Sequence, residues 1–133
     1  MRDPHPTDAS PAALQLAVAQ FNRGDFYACH DTLEALWMEA ADPERRFYHG
    51  LLQTAVAYYH LNNGNRRGCM ILLGEANGKL ADFLPTYAGC ELQSLWQANQ
   101  STLRHLSRLS PEDPFPSLVI PQILLTQDPP KGL

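Results

Sequence analysis

Two stretches of this chain can be laid over one another at a spacing of 40 residues: AVAQFNRGDFYACHDTL (17–33) and AYYHLNNGNRRGCMILL (57–73). Ala17 falls on Ala57, Phe21 on Leu61 and Gly24 on Gly64, then Ala28 on Gly68, Cys29 on Cys69 and Leu33 on Leu73. Each copy reads as a helix, a glycine-containing turn and a second helix. Glycine takes the left-handed backbone conformation that ends a helix, and the apolar positions on either side recur at helical spacing. Small residues at 28 and 68 are expected to let the second helix of each copy lie close to the first. Tetratricopeptide hairpins share these features. The period here is longer, and two copies are too few for a solenoid. The repeat therefore predicts two antiparallel hairpins packed together, with a further helix closing an all-α bundle.

Punctuation along the chain fills in the rest. Ser10–Pro11 reads as a helix start, because serine can cap free N–H groups and proline is tolerated at the first helical position. The first helix runs to Gly24, the second over about 25–40 and the third, after the break ADPE, over about 44–62. The fourth covers about 65–84. PTYAGC reads as a loop, and a fifth helix over about 91–108 carries Leu92, Leu95, Trp96, Leu103 and Leu106. After residue 109 the composition changes. LVIPQILL is apolar but contains Pro121, which removes a backbone donor and disfavours a long helix or a central strand. The expected organisation is a flexible arm over 1–9, a helical domain over 10–109 and an extended proline-rich tail over 110–133. Val119, Ile120, Ile123 and Leu124 of the tail are expected to pack on the helices, on a partner protein or on a second copy in a homodimer.

Bulk properties exclude several function classes. The 133 residues suit one domain; 44% are apolar and 18% charged, a globular rather than disordered balance. A net charge of −4 argues against general nucleic-acid binding, which needs an excess of lysine and arginine. No apolar run approaches the roughly 20 residues of a membrane span, and MRDPHPTDAS lacks the apolar core of a secretory signal. Cys29, Cys69 and Cys90 form no CxxC pair and read as buried reduced thiols, which fits a cytoplasmic protein.

The repeat also isolates what the scaffold does not need. His30 and Glu34 stand four residues apart on one helix face, and the second copy has Met70 and Gly74 in their places. The polar pair is thus an addition to the hairpin. Gln53 and His60, seven residues apart, share a face of the third helix. By helical rise above the break joining the second and third helices, Glu34 stands at about 13 Å, Gln53 at about 16 Å, His30 at about 19 Å and His60 at about 26 Å. Those heights allow a cluster but do not say which way each residue faces. Asp31 is expected to point about 100° away from His30. Two imidazoles and a carboxylate suit a divalent ion such as zinc or iron, and a bound water could then be activated for hydrolysis. Without a metal, His30 and Glu34 could act as a general acid–base pair. The plainer reading is a structural hydrogen-bond network between helices. Trp37, Phe47, Tyr58 and Tyr59 read as core or pocket wall.

Three blocks, FNRGDFYACHDTLEALW, FYHGLLQTAVAYYHLNNGNRRG and LPTYAGCEL, resemble the small bacterial and archaeal family catalogued as domain of unknown function 309. The likeness covers roughly residues 17–95. It implies a compact all-helical protein and no established activity, although some members are described as predicted metal-dependent hydrolases. The family's motif positions fall here on Gly24, His30, Glu34, Trp37, Gly50, Gln53, His60, Gly64, Asn65 and Gly68. The chain departs at Asp31, where the family usually has glutamate, and at Cys69, often alanine. The reading that follows is a structural or ligand- and partner-binding module. Its binding residues would be Gln53, Trp37, Tyr59 and Asn65. The alternative is a metal-dependent hydrolase using His30, Glu34 and His60.

Overall fold

The computed structural model describes residues 10–114 and 117–126. The arm over 1–9 and the tail residues 115–116 and 127–133 lie outside them. Five α-helices are present: α1 (Ala12–Asn22), α2 (Phe26–Glu39), α3 (Glu44–Asn62), α4 (Arg66–Leu80) and α5 (Gln93–Ser107). Each packs against the next in the chain, with the closest pairing between α3 and α4. No helix among the described residues is long and apolar enough to cross a membrane.

The 40-residue repeat is reproduced bond for bond at the two hairpin turns. Gly24 has φ +82° and donates to Phe21 O at 2.9 Å, while Asp25 N–H reaches Gln20 O at 2.9 Å. Gly64 has φ +75° and donates to Leu61 O at 3.1 Å, while Asn65 N–H reaches His60 O at 2.8 Å. Both are Schellman closures, in which the last carbonyls of a helix are satisfied as the chain reverses. The following helix is then capped by side chain: Asp25 Oδ1 accepts from Ala28 N–H at 3.4 Å, and Asn65 Oδ1 from Gly68 N–H at 2.9 Å. Glycine at 68 lets this cap draw tight: a Cβ there would lie 2.6 Å from Asn65 Nδ2, whereas the cap on Ala28 is the longer of the two. Close helix approach is seen at Gly50, where a Cβ would meet Leu80 at 2.9 Å.

The core is continuous across the helices and includes Leu14, Phe21, Cys29, Leu33, Phe47, Leu51, Leu73, Leu80 and Leu95. Tyr58, fully buried on α3, makes edge contact with Phe21 of α1 at 6.1 Å. Its hydroxyl donates to Asn99 Oδ1 on α5 at 2.8 Å. Asn99 Nδ2 donates to Asn77 Oδ1 on α4 at 3.0 Å, and Asn77 in turn donates to Trp96 O at 3.0 Å and accepts from Trp96 Nε1 at 3.1 Å. Three helices are thus joined by one buried polar chain. On α5 the inward face is Leu95, Asn99, Thr102 and Leu106, so two polar residues occupy positions that periodicity alone would give to apolar ones.

Three local expectations need correction. Ser10 does not cap α1; no side chain does, and Ser10 Oγ instead donates to Ala88 O at 2.6 Å. The fourth helix stops at Leu80 and a 3₁₀ turn over Ala81–Phe83 follows. PTYAGC is not a simple loop. Strands β1 (Thr86–Tyr87) and β2 (Cys90–Glu91) pair around Ala88 (φ +50°) and Gly89 (φ +78°). Two central residues with positive φ make a type I′ hairpin turn. Strand β3 (Leu124–Leu125) adds to β2 as an edge. Before it, Ile123 is buried, and its N–H and C=O both bond the side-chain amide of Asn22, at 2.8 and 2.9 Å. Val119, by contrast, is 93% exposed.

Tyr58→Phe is expected to lower stability by about 1–3 kcal/mol, because it leaves Asn99 Oδ1 buried without that donor. Urea unfolding reads this directly. A change within about 0.5 kcal/mol, the range of ordinary surface substitutions, would show that the network does not hold the helices.

Candidate functional site

The sequence-derived cluster divides in two. The division follows from where Gln53 points on α3. At about 100° per residue, Gln53 lies about 60° round the helix from Val56, toward the face that Gly50 offers to α4. Its amide accordingly turns to α4. Gln53 Nε2 donates to Glu75 Oε1 at 2.8 Å, and Lys79 Nζ donates to Gln53 Oε1 at 2.9 Å. Gln53 is therefore not a partner of His30 or Glu34. Levels along the helix axis were compatible, but azimuth was not.

His30 and His60 do come together. They line a cleft of about 150 Å³ between α2 and α3 with Phe26, Tyr27, Val56 and Tyr59. Phe26 forms part of the buried core, while Tyr27 and Tyr59 are exposed and stand ring to ring at 6.3 Å. The walls are almost wholly apolar apart from the two imidazoles. His30 Nδ1 lies 3.2 Å from Asp31 Oδ1, so Asp31 does turn back to its neighbour. His30 Nε2 lies 3.9 Å from Glu34 Oε2, too long for a hydrogen bond, and Glu34 is exposed. His60 Nδ1 is 3.4 Å from Asn65 Nδ2. Asn65 itself serves as the α4 cap. Among the described residues, no group of three or more His, Cys, Asp or Glu side chains is arranged to hold a metal ion.

Trp37 belongs to a second cleft, of about 240 Å³, at the other end of the α2–α3 pair. Asp42, Arg45, Arg46, His49 and Lys79 complete its lining. The Arg45 guanidinium sits 4.3 Å from the Trp37 ring centre, a cation–π contact. His49 packs on the same indole at 5.3 Å. Burial pushes His49 below the ordinary imidazole range; Lys79, Arg45 and Arg46 push the same way and Glu75 opposes them. Arg46 is tied to Asp82 at 2.8 Å. Sequence reasoning did not single out this group, although Arg45, His49 and Gln53 follow one another at i, i+4 and i+8 on α3.

None of the three thiols lines either cleft. Burial, with a contribution from the Asp25 carboxylate, raises Cys29 to about 12. Burial raises Cys90 to about 12 and Cys69 to about 11. A thiol that far above neutrality is no nucleophile at pH 7.

The geometry defines a helical protein of two glycine-turned hairpins with open clefts along the seam between its second and third helices. Residues 14–72, from α1 into α4, match the family model described as domain of unknown function (DUF309). A search of curated proteins gave no match.

Two outcomes follow from these environments. His49 is more readily protonated in the unfolded chain than in the folded one. Its contribution to stability is therefore full above the ordinary imidazole pKa of about 6.5 and is lost as pH falls through its lowered folded value. His49→Gln should flatten the pH dependence of the melting temperature below about pH 6.5. An unchanged slope would assign that dependence elsewhere. The native protein should also resist a thiol reagent such as Ellman's at pH 7.5, with all of Cys29, Cys69 and Cys90 reacting only in denaturant. Rapid labelling of the native state would contradict the burial described above.

Proposed function

We propose that this protein is a helical binding module whose α2–α3 cleft takes a small aromatic group, with His30 and His60 contacting a polar substituent on it. The observation that supports this reading is the pairing of an apolar floor, Phe26 and Val56, with two imidazoles from different helices on one rim. An apolar cavity of about 150 Å³ is large enough for a benzene-sized ring, and the cleft has that volume. Tyr27 and Tyr59 offer ring faces and edges to such a guest. Imidazole can donate or accept according to its tautomer, which suits a phenol, an indole N–H or a carbonyl.

A metal-dependent hydrolase on His30, Glu34 and His60 would need its donors gathered around one point. Glu34 is not among the residues lining the cleft that His30 and His60 share, and among the described residues no three such donors are gathered, which favours the binding reading.

Phenol and indole serve as probes. Titration of the full chain followed by NMR should give saturable shifts at His30, His60, Tyr27 and Tyr59, and Val56→Trp, which fills the cleft, should abolish them. Shifts that persist in the Val56→Trp variant, or none at millimolar probe, would remove the proposal. For the alternative, protein incubated with zinc and then dialysed should hold no stoichiometric metal. Stoichiometric zinc that disappears in His30→Ala would reinstate the hydrolase reading.

A further inference from the structure

The Trp37 cleft is separate from the aromatic cleft and has a different chemistry. Its lining combines three cationic side chains, Arg45, Arg46 and Lys79, with one carboxylate, Asp42. Arg46 is committed: its Nε bonds Asp82 at 2.8 Å and its Nη2 bonds Gly78 O at 3.3 Å. Arg45 and Lys79 are not. Among the described residues neither forms an ion pair with an acid, although Glu75 stands close by on α4 and Asp42 in the loop before α3. Each is nevertheless held in place. Arg45 lies over the Trp37 ring, and a guanidinium stacked on an aromatic face keeps its in-plane N–H edge available to an acceptor. Lys79 is fixed by the buried Gln53 carbonyl, whose amide is anchored in turn on Glu75.

The position of the arginines reinforces this reading. Arg45 and Arg46 occupy the first turn of α3, where the helix dipole favours anions and disfavours cations. Glu44 offsets this in part. Two arginines at that end, one without an acidic partner, are an electrostatic liability unless an anion completes them. His49 faces the same space with its imidazole held toward the neutral form by burial and by Lys79, Arg45 and Arg46 against Glu75. It can therefore donate one hydrogen bond without adding to the charge.

From this arrangement we infer that the cleft between Trp37, Arg45, His49 and Lys79 is a binding site for the oxyanion group, phosphoryl or carboxylate, of a small molecule. Arg45 supplies paired donors, Lys79 a single charge and Trp37 a face for the rest of the ligand. Gln53 is a positioning residue, acting through Lys79.

The test is an NMR titration of the full chain with inorganic phosphate, acetate and chloride at matched ionic strength. His49 and the Trp37 indole are followed, with His105, exposed on α5, as the remote reference. Saturable shifts at His49 and Trp37 with phosphate or acetate but not chloride are expected, and whichever anion saturates names the group. The bound anion should raise the His49 pKa, and the His105 resonances should not respond to it. Arg45→Gln should weaken binding about tenfold, as loss of a charge-assisted contact does. Gln53→Leu should weaken it less, and Lys79→Gln similarly to Arg45→Gln. If either of those last two variants fails to fold, the exposed Arg45 decides alone. Equal responses to all three salts, no saturation, or unchanged affinity in Arg45→Gln would overturn the inference.

Discussion

Tyr58, Asn99 and Asn77 set the terms on which the other helices pack. Each is buried, and each belongs to a different helix. A hydroxyl or amide removed from water destabilises the fold unless it is paired, so the three must meet at one register. That register brings α4 against α3 at Gly50, where the helices come close enough that Leu80 occupies the space a side chain would fill. It also sets Glu75 and Lys79 level with Gln53. The cationic cleft is thus a consequence of a polar chain on the far side of α3 and α4. Apolar packing alone would tolerate sliding by a fraction of a turn; fixed hydrogen-bond partners do not.

The hairpin architecture was legible because its signals are local. A glycine that must take positive φ, a capping residue after it and apolar positions on either side all fall within ten residues, and they recur. The closing α5 was legible from leucine spacing. What escaped was set by tertiary context. Ser10 has the chemistry of a cap, yet Ala88 O, 78 residues away, claims its hydroxyl. The Ala88–Gly89 turn was hidden because alanine rarely takes positive φ, so the usual asparagine–glycine signal was missing. The candidate site was half legible. Helical rise put His30 and His60 within about one turn of each other in level but left their facing open; both line the same cleft. Gln53 was misplaced because rise fixes level and not azimuth. His49 was passed over because a single histidine on a helix, in RRFYHG, has no partner in the sequence to mark it.

The seam between α2 and α3 therefore carries two unlike clefts, one at each end. Val56 borders the first and His49 the second, seven residues apart, or about 10 Å along the axis. One is apolar with two imidazoles in its lining and the other is cationic with an indole wall. Neither rests on the repeated positions: His30 has Met70 in its place in the second copy, and the residues lining the second cleft lie outside the repeated stretches. In this chain the repeated scaffold and the chemistry of the clefts are carried largely by different residues.

The small β-hairpin has a topological consequence. Ala88 O receives the hydroxyl of Ser10, and the next carbonyl, Gly89 O, receives the N–H of Thr126. Two points 116 residues apart in sequence are thereby held by adjacent peptide groups. The described chain is closed into a ring by a clasp of two residues. Closing so long a loop is entropically unfavourable, but the penalty grows only with the logarithm of length, and the clasp spreads it over bonds on both sides. Strain or mutation at Ala88–Gly89 would loosen both ends together. A covalent link between the two ends would make that clasp redundant and leave the helices where they are.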